Sequence, residues 1–316
     1  MVQAEFVSPN LDTLRAFPLL CNPLYDIVRA ESSKWIESFG HYLENPQKRD
    51  FLRSANFELL GSYTYPTADY EALRAICDWF NAIFVLDEIT DDQSGDDAAK
   101  TMQAHVDGLA GNPGDGSTVY KIFEDLGKRL RVRFGPKAFH RFLASSEGYA
   151  KEVAREAQLR GEDKVLPFHD YVPFRRQISG VQICLDLIEY AFNFDLPDEI
   201  TDQTRFKEIN NITTDFVAWT NDIYSYPMEH RKGGGNANIV TVLSNEKQIE
   251  TIAAGETARS LLEARLSDFL RIKAELLRQS YNMEDRMVRE QLRQYIFGME
   301  CWYSGIIGWS SQSERY

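Results

Sequence analysis

Apolar residues recur at spacings of three and four along almost the whole 316-residue chain, whereas alternating apolar and polar runs bounded by turns are nearly absent. That period constrains the fold more than any other feature. A chain patterned with one apolar stripe per 3.6-residue turn buries its stripes by packing helix on helix. Proline and glycine fall as punctuation between the periodic stretches. Helices are expected over residues 23–43, 68–90, 98–109, 119–134, 136–160, 168–192, 201–228, 240–280 (with a break) and 283–310. Pro136 and Pro167 sit at expected first turns, where an amide has no partner to lose, and Thr67, Ala68, Asp69 and Tyr70 open another helix. No Pro/Ser-rich linker, internal repeat or abrupt change of composition divides the chain. The expectation is one all-α domain, residues 1–316, of roughly ten helices.

The chain is 43% hydrophobic and 12% aromatic, enough for a large core and a lined cavity, and too apolar for disorder. With 35 Lys+Arg against 48 Asp+Glu, the formal charge is −13. Nucleic acid and stable association with an anionic membrane are therefore not expected as partners, because both repel the chain at long range. An acidic protein still binds a polyanion where a divalent metal supplies the positive charge. Cys21, Cys77, Cys184 and Cys301 are scattered singly, which indicates neither a zinc site nor a disulfide framework and fits a reducing cytoplasm. The N-terminal residues do not read as a signal peptide, and no run of about 18 apolar residues occurs.

Two acidic clusters interrupt the apolar stripes. Along residues 68–91 the stripe runs Leu73, Ile76, Cys77, Phe80, Ile83 and Phe84, and its next position is Asp87, with Asp91 one turn further. Glu88 and Asp92 lie about 100° around the axis. An unpaired ionised carboxylate on a buried face costs several kcal/mol, so Asp87 is expected to meet a cation, a metal or a water-filled pocket. Acidic residues at a helix C-terminus also oppose the macrodipole. In the second cluster Asn221, Ser225 and Glu229 step by four and share one face, which Thr214, Val217 and Ala218 turn inward. An amide oxygen, a hydroxyl and a carboxylate are hard donors suited to Mg²⁺.

The sequence DEITD at 87–91, together with NDIYSYPME at 221–229, resembles the two metal-binding motifs of class I terpene synthases, the DDxxD-type motif and N-D-x-x-S-x-x-x-E. The motif separation, the length and the final Arg315 and Tyr316 look like the microbial, especially fungal, sesquiterpene synthases. The resemblance spans essentially the whole chain, and the second motif is the more specific. It implies a helical bundle around a central active-site cavity, and three Mg²⁺ ions held by Asp87, Asp91, Asn221, Ser225 and Glu229. Arg176, four residues before Gly180, matches the family's diphosphate sensor, with Ser179 as linker, Gly180 as helix-break effector and Arg175 as runner-up. Independently, Gly180 interrupts an apolar helical pattern, where glycine costs about 1 kcal/mol. Arg315 and Tyr316 match a pair that grips diphosphate, although any last two residues read alone look like a frayed tail. Trp309, Phe80 and Phe84 match positions or directions of a cavity wall.

The chain also departs from the pattern. Met228 stands where relatives often carry a diphosphate-binding Lys, and Lys232 or Arg231 is the substitute within reach. The loop at 233–238 begins with three glycines, which suggests a segment able to close over the site. Glu88 replaces the second Asp of the first motif.

The implied reaction is Mg²⁺-dependent ionisation of an allylic prenyl diphosphate, farnesyl diphosphate above all, with release of diphosphate and conversion of the carbocation to a sesquiterpene hydrocarbon or alcohol. An acyclic alcohol synthase of linalool or nerolidol type fits the same motifs. A chain-elongating prenyltransferase needs a second DDxxD, which the Asn/Ser/Glu set does not provide, and a non-enzymatic helical module predicts no response to Mg²⁺ with pyrophosphate. A monomer or homodimer acting on a small molecule is expected.

Overall fold

A computed structural model describes residues 6–40, 45–232 and 235–316. Among these residues the chain is helical, with no strand. A 3₁₀ turn at Asp12–Leu14 leads into α1 (Tyr25–Glu37), α2 (Pro46–Ala55), α3 (Phe57–Thr64), α4 (Tyr70–Asp91), α5 (Gly95–Ala110), α6 (Thr118–Arg133) and α7 (Pro136–Gly161). There follow α8 (Phe168–Ile178), α9 (Val181–Phe192), α10 (Asp198–Thr201), α11 (Thr204–Arg231), α12 (Ile239–Lys247), α13 (Thr251–Ser280) and α14 (Arg286–Ser310).

Local chemistry sets most boundaries. Asp69 caps α4 by accepting from the Ala72 amide, Ser94 and Ser117 cap α5 and α6 in the same way, and Pro136 occupies the first turn of α7. Two expectations are revised, and the break expected within 240–280 is located. Helices α2 and α3 fill a stretch read as helix-free. Asn45 caps α2 through the Gln47 amide, and Asn56, left-handed at φ 51°, ends α2 and starts α3. The expected helix at 168–192 is broken into α8 and α9 at Ser179 and Gly180. The stretch at 240–280 divides at Gln248, whose φ of 52° terminates α12. The end of the first expected helix, at 41–43, lies outside the described residues.

Helix α5 packs on α6 and α7, α11 on α13 and α14, and α14 also on α3. Buried apolar side chains from α1, α4, α9, α11 and α14 belong to one core cluster. The long helices α4, α7, α11 and α14, with the broken pair α8 and α9, enclose the cavity described next.

Candidate active site

The cavity has a volume of about 620 Å³, within the roughly 300–1,000 Å³ usual for small-molecule sites. Its lining runs the same way along three helices. Trp79, Phe80, Ile83 and Phe84 precede Asp87 on α4, Val217 and Ala218 precede Asn221 and Glu229 on α11, and Trp302, Ile306 and Trp309 on α14 precede Arg315. One end is therefore aromatic and aliphatic and the other is charged. Phe80, Phe84 and Trp309 lie where the sequence places them. Phe84 stacks on Phe57 with centroids 3.6 Å apart, and Trp309 Nε1 donates to the Ala55 carbonyl at 2.9 Å, so both rings are fixed.

At the charged end, every carboxylate of the last α4 turn meets a cation from a different element. Asp87 faces Arg315 of the tail at 3.7 Å, Glu88 faces Lys232 after α11 at 3.8 Å, Asp91 faces Arg160 of α7 at 2.9 Å, and Asp92 faces Lys48 of α2 at 3.2 Å. Arg160 also donates to the Thr90 carbonyl at 3.0 Å, which caps α4. Asp87 borders the cavity, with 42% of its side chain open to it. Desolvation by the protein walls around the cavity, then the Asp91 charge, pushes its carboxyl up to about 7 against the pull of Arg315. Asp91 is thus already held by Arg160, a relationship the motif alone does not disclose.

On α11, Asn221 Oδ1 accepts from Arg175 Nη2 at 3.2 Å and its Nδ2 donates to Tyr316 Oη at 2.8 Å. Glu229 lines the cavity, and its Oε2 accepts from Asn238 Nδ2 at 3.0 Å. Burial raises its carboxyl, with the Asp222 charge acting in the same direction. Ser225 is buried beside them and donates to the Asp222 carbonyl at 3.4 Å. Asp222 is the scaffold of the motif. Its carboxylate accepts from Arg175 at 2.7 Å, from the Ile239 amide at 2.9 Å and from the Tyr171 hydroxyl.

The two arginines of α8 separate. Arg176, the sensor expected from sequence, is not brought to the cavity: it forms a two-point clamp on buried Asp215, with both contacts at 2.7 Å. Arg175, the runner-up, lines the cavity. Ser179 and Gly180 line it too. Gly180 has φ 66°, a conformation that favours glycine, and Ser179 bridges the break by donating to the Arg176 carbonyl and accepting from the Val181 amide. Lys232 borders the cavity, paired with Glu88. Of the triple-glycine loop, Gly233 and Gly234 lie outside the described residues. The tail is not frayed: Arg315 is 8% accessible, its guanidinium 4.5 Å from the Phe84 centroid, and among the described residues its Nε and Nη1 have no partner.

Glu156 of α7 was not singled out in the sequence. It borders the cavity, and burial pushes it up to about 8, with Arg175 opposing. The periodicity that exposes Asp87 would have found it, since Tyr149, Val153 and Glu156 continue one stripe.

The charged end suits a divalent metal. Its donors are carboxylate, amide and hydroxyl oxygens, the carboxyls of Asp87, Glu156 and Glu229 are all raised, and the C-terminal, negative ends of α4, α11 and α14 converge there.

The fold is that of class I terpene synthases. It superposes on germacradien-4-ol synthase from Streptomyces citricolor with a TM-score of 0.84 at 19% identity, covering 98% of this chain and 100% of that one. It superposes on hedycaryol synthase with a TM-score of 0.85 at 23% identity, covering 97% and 99%. Residues 78–268 match the family described as terpene synthase family 2, C-terminal metal binding, and the chain belongs to that family. Bifunctional terpene synthase Agr4 of Cyclocybe aegerita is 36% identical, covering 99% of this chain and 89% of its own length. A sesquiterpene synthase of Piloderma croceum is 32% identical, covering 93% and 85%. A Coprinopsis cinerea protein named linoleate 10R-lipoxygenase COP4 is 37% identical, covering 99% and 88%. The resemblance read from the motifs is borne out. Among the described residues no helix is long and apolar enough to cross a membrane.

Proposed function

We propose that this enzyme is a carbon–oxygen lyase that ionises an allylic prenyl diphosphate, farnesyl diphosphate above all, and converts the carbocation to a sesquiterpene hydrocarbon or alcohol. One observation carries the reading: oxygen donors on α4 and α11 and the arginines Arg160, Arg175 and Arg315 ring one end of a cavity whose remainder is apolar and aromatic. The name of the Piloderma croceum relative supports a C15 substrate.

Asp87, Asn221, Ser225 and Glu229 would hold Mg²⁺, three ions by family analogy, with Asp91 sharing its charge with Arg160. The bound metal supplies Lewis-acid neutralisation of the departing diphosphate. Arg175 and Arg315 bind the same anion, Arg315 through the N–H groups left unpartnered on Phe84. As the allylic C–O bond breaks, its electron pair leaves with diphosphate, and these fixed charges stabilise the transition state as charge develops. The aromatic walls fold the prenyl chain, exclude water and stabilise positive carbon by about 0.5–2 kcal/mol per well-placed ring. Loss of a proton from carbon then gives a hydrocarbon, and addition of water followed by loss of its proton gives an alcohol.

Residues 1–316 act in this reading as one domain, as a monomer or homodimer in the cytoplasm. Support comes from the shared core cluster and from cysteines that are all unpaired. The name of the Coprinopsis cinerea relative suggests fatty-acid oxidation instead. Among the described residues no histidine lines the cavity, and imidazole is the usual ligand of oxygenase iron.

Incubation with Mg²⁺ and C10, C15 and C20 prenyl diphosphates, with product analysis, tests the proposal and separates cyclic products from acyclic alcohols. Diphosphate release with a C15 product is expected. Release from none of the three, or oxygen consumption with linoleate, would overturn it.

A further inference from the structure

Helix α11 carries a proline, Pro227, between Ser225 and Glu229. A proline has no amide hydrogen, and its ring pushes away the carbonyl four residues back, here that of Ile223. Ile223 is fully buried, so bulk water does not reach that carbonyl. Its donor comes from the other end of the chain, where Ser8 Oγ donates to Ile223 O at 3.4 Å, across 215 positions. The neighbouring carbonyl, of Asp222, is held from the α12 side by Asn238 Nδ2 at 2.8 Å.

The residues around Ser8 are seated to keep it there. Phe6 packs on Tyr226, the residue before Pro227, with centroids 4.7 Å apart. The Phe6 ring also lies against Gly255 of α13, where an added Cβ would come within 2.9 Å of it, and Pro9 packs on the same glycine. Leu11 is completely buried. Residues 6–11 therefore form a strap seated on α11 at Ile223 and Tyr226, just before Pro227, and on α13 at Gly255.

We propose that this strap substitutes for the amide missing at Pro227, and that Ser8 is thereby a positioning residue for Asn221, Ser225 and Glu229. The inference rests on the metal-binding role proposed above for that triple. Pro227 lies between Ser225 and Glu229, so the local helix geometry around it sets where Glu229 stands relative to Asn221, two turns back. Fixing the Ile223 carbonyl fixes that geometry.

The test is a double-mutant cycle in the full chain, read as the MgCl₂ concentration giving half of the pyrophosphate-induced rise in Tm. Ser8→Ala is expected to raise that concentration roughly three- to fivefold, the equilibrium equivalent of one neutral hydrogen bond. Ser8→Thr, which keeps the hydroxyl, restores it. In a Pro227→Ala background, where the new amide can reach Ile223 O, Ser8→Ala has no further effect. An equal effect of Ser8→Ala with and without Pro227 overturns the proposal. So does a lower Tm with unchanged Mg²⁺ half-saturation, which leaves Ser8 with a stability role alone. If the unsubstituted protein gains no stability from Mg²⁺ with pyrophosphate, the metal-binding reading itself fails, and the positioning role falls with it.

Discussion

The Asn221 Nδ2 group donates to the Tyr316 hydroxyl at 2.8 Å, across 95 positions of sequence. Since Arg315 faces Asp87, the last two residues of the chain reach both acidic motifs. Burial pushes the Tyr316 phenol up to about 12, with Arg315 opposing, so it stays neutral at physiological pH. Removing its hydroxyl in Tyr316→Phe deletes one hydrogen bond of about 1 kcal/mol. A drop in kcat/KM of about fivefold is expected in steady-state assays, with the circular dichroism spectrum unchanged. Arg315→Ala removes a charge and is expected to cost about a hundredfold.

Asp87→Asn and Asn221→Ala each remove a donor from the charged end while leaving the apolar wall intact. Turnover is expected to fall by at least about a hundredfold, with helical content retained by circular dichroism. The rise in Tm on adding Mg²⁺ with pyrophosphate should vanish in both. Retained activity in either variant would remove that residue from the ligand set.

Arg175 and Arg176 give opposite signatures. Arg176→Met leaves Asp215 buried beside only the more distant Arg265, at 3.4 Å. The cost is expected to be about 3 kcal/mol of stability, read as a lower Tm, with turnover per folded molecule largely kept. Arg175→Met should abolish turnover. If instead Arg176→Met removed pyrophosphate-dependent stabilisation, Arg176 would be the diphosphate sensor.

His105 is buried among Phe123, Trp79 and Tyr149, and among the described residues neither ring nitrogen has a partner. Burial lowers its pKa from 6.5 to about 3. The unfolded chain therefore binds a proton below about pH 6.5 that the folded state refuses, and stability is lost as pH falls from there toward 3. His105→Phe should flatten this decline in urea unfolding followed from about pH 7 to 4. At neutral pH it should be neutral or stabilising by about 1 kcal/mol, because two buried orphan atoms disappear.

Asp87, Phe80, Phe84, Asn221 and Glu229 were legible because each continues a periodic stripe within one helix. Glu156 continues a stripe on α7 in the same way. The choice between Arg175 and Arg176 was not legible. They are neighbours about 100° apart, and their partners Asp222 and Asp215 are seven positions apart on nearly the same face of α11, so either arginine fits a pattern read along the chain. The pairing of Asp91 with Arg160 depends on α7 crossing the end of α4, which no local spacing encodes. The contact from Lys48 comes from α2, a ten-residue helix with few apolar residues to mark it in the sequence.

Hydrophobic period alone set the helical class and the faces of α4 and α11 that turn inward, because it is a property of each segment taken separately. Packing decided which cation meets which carboxylate, which arginine reaches the cavity, and what satisfies the carbonyl that Pro227 leaves without an amide. Those outcomes depend on distances between residues far apart in the chain, and only the seating of helix on helix fixes them.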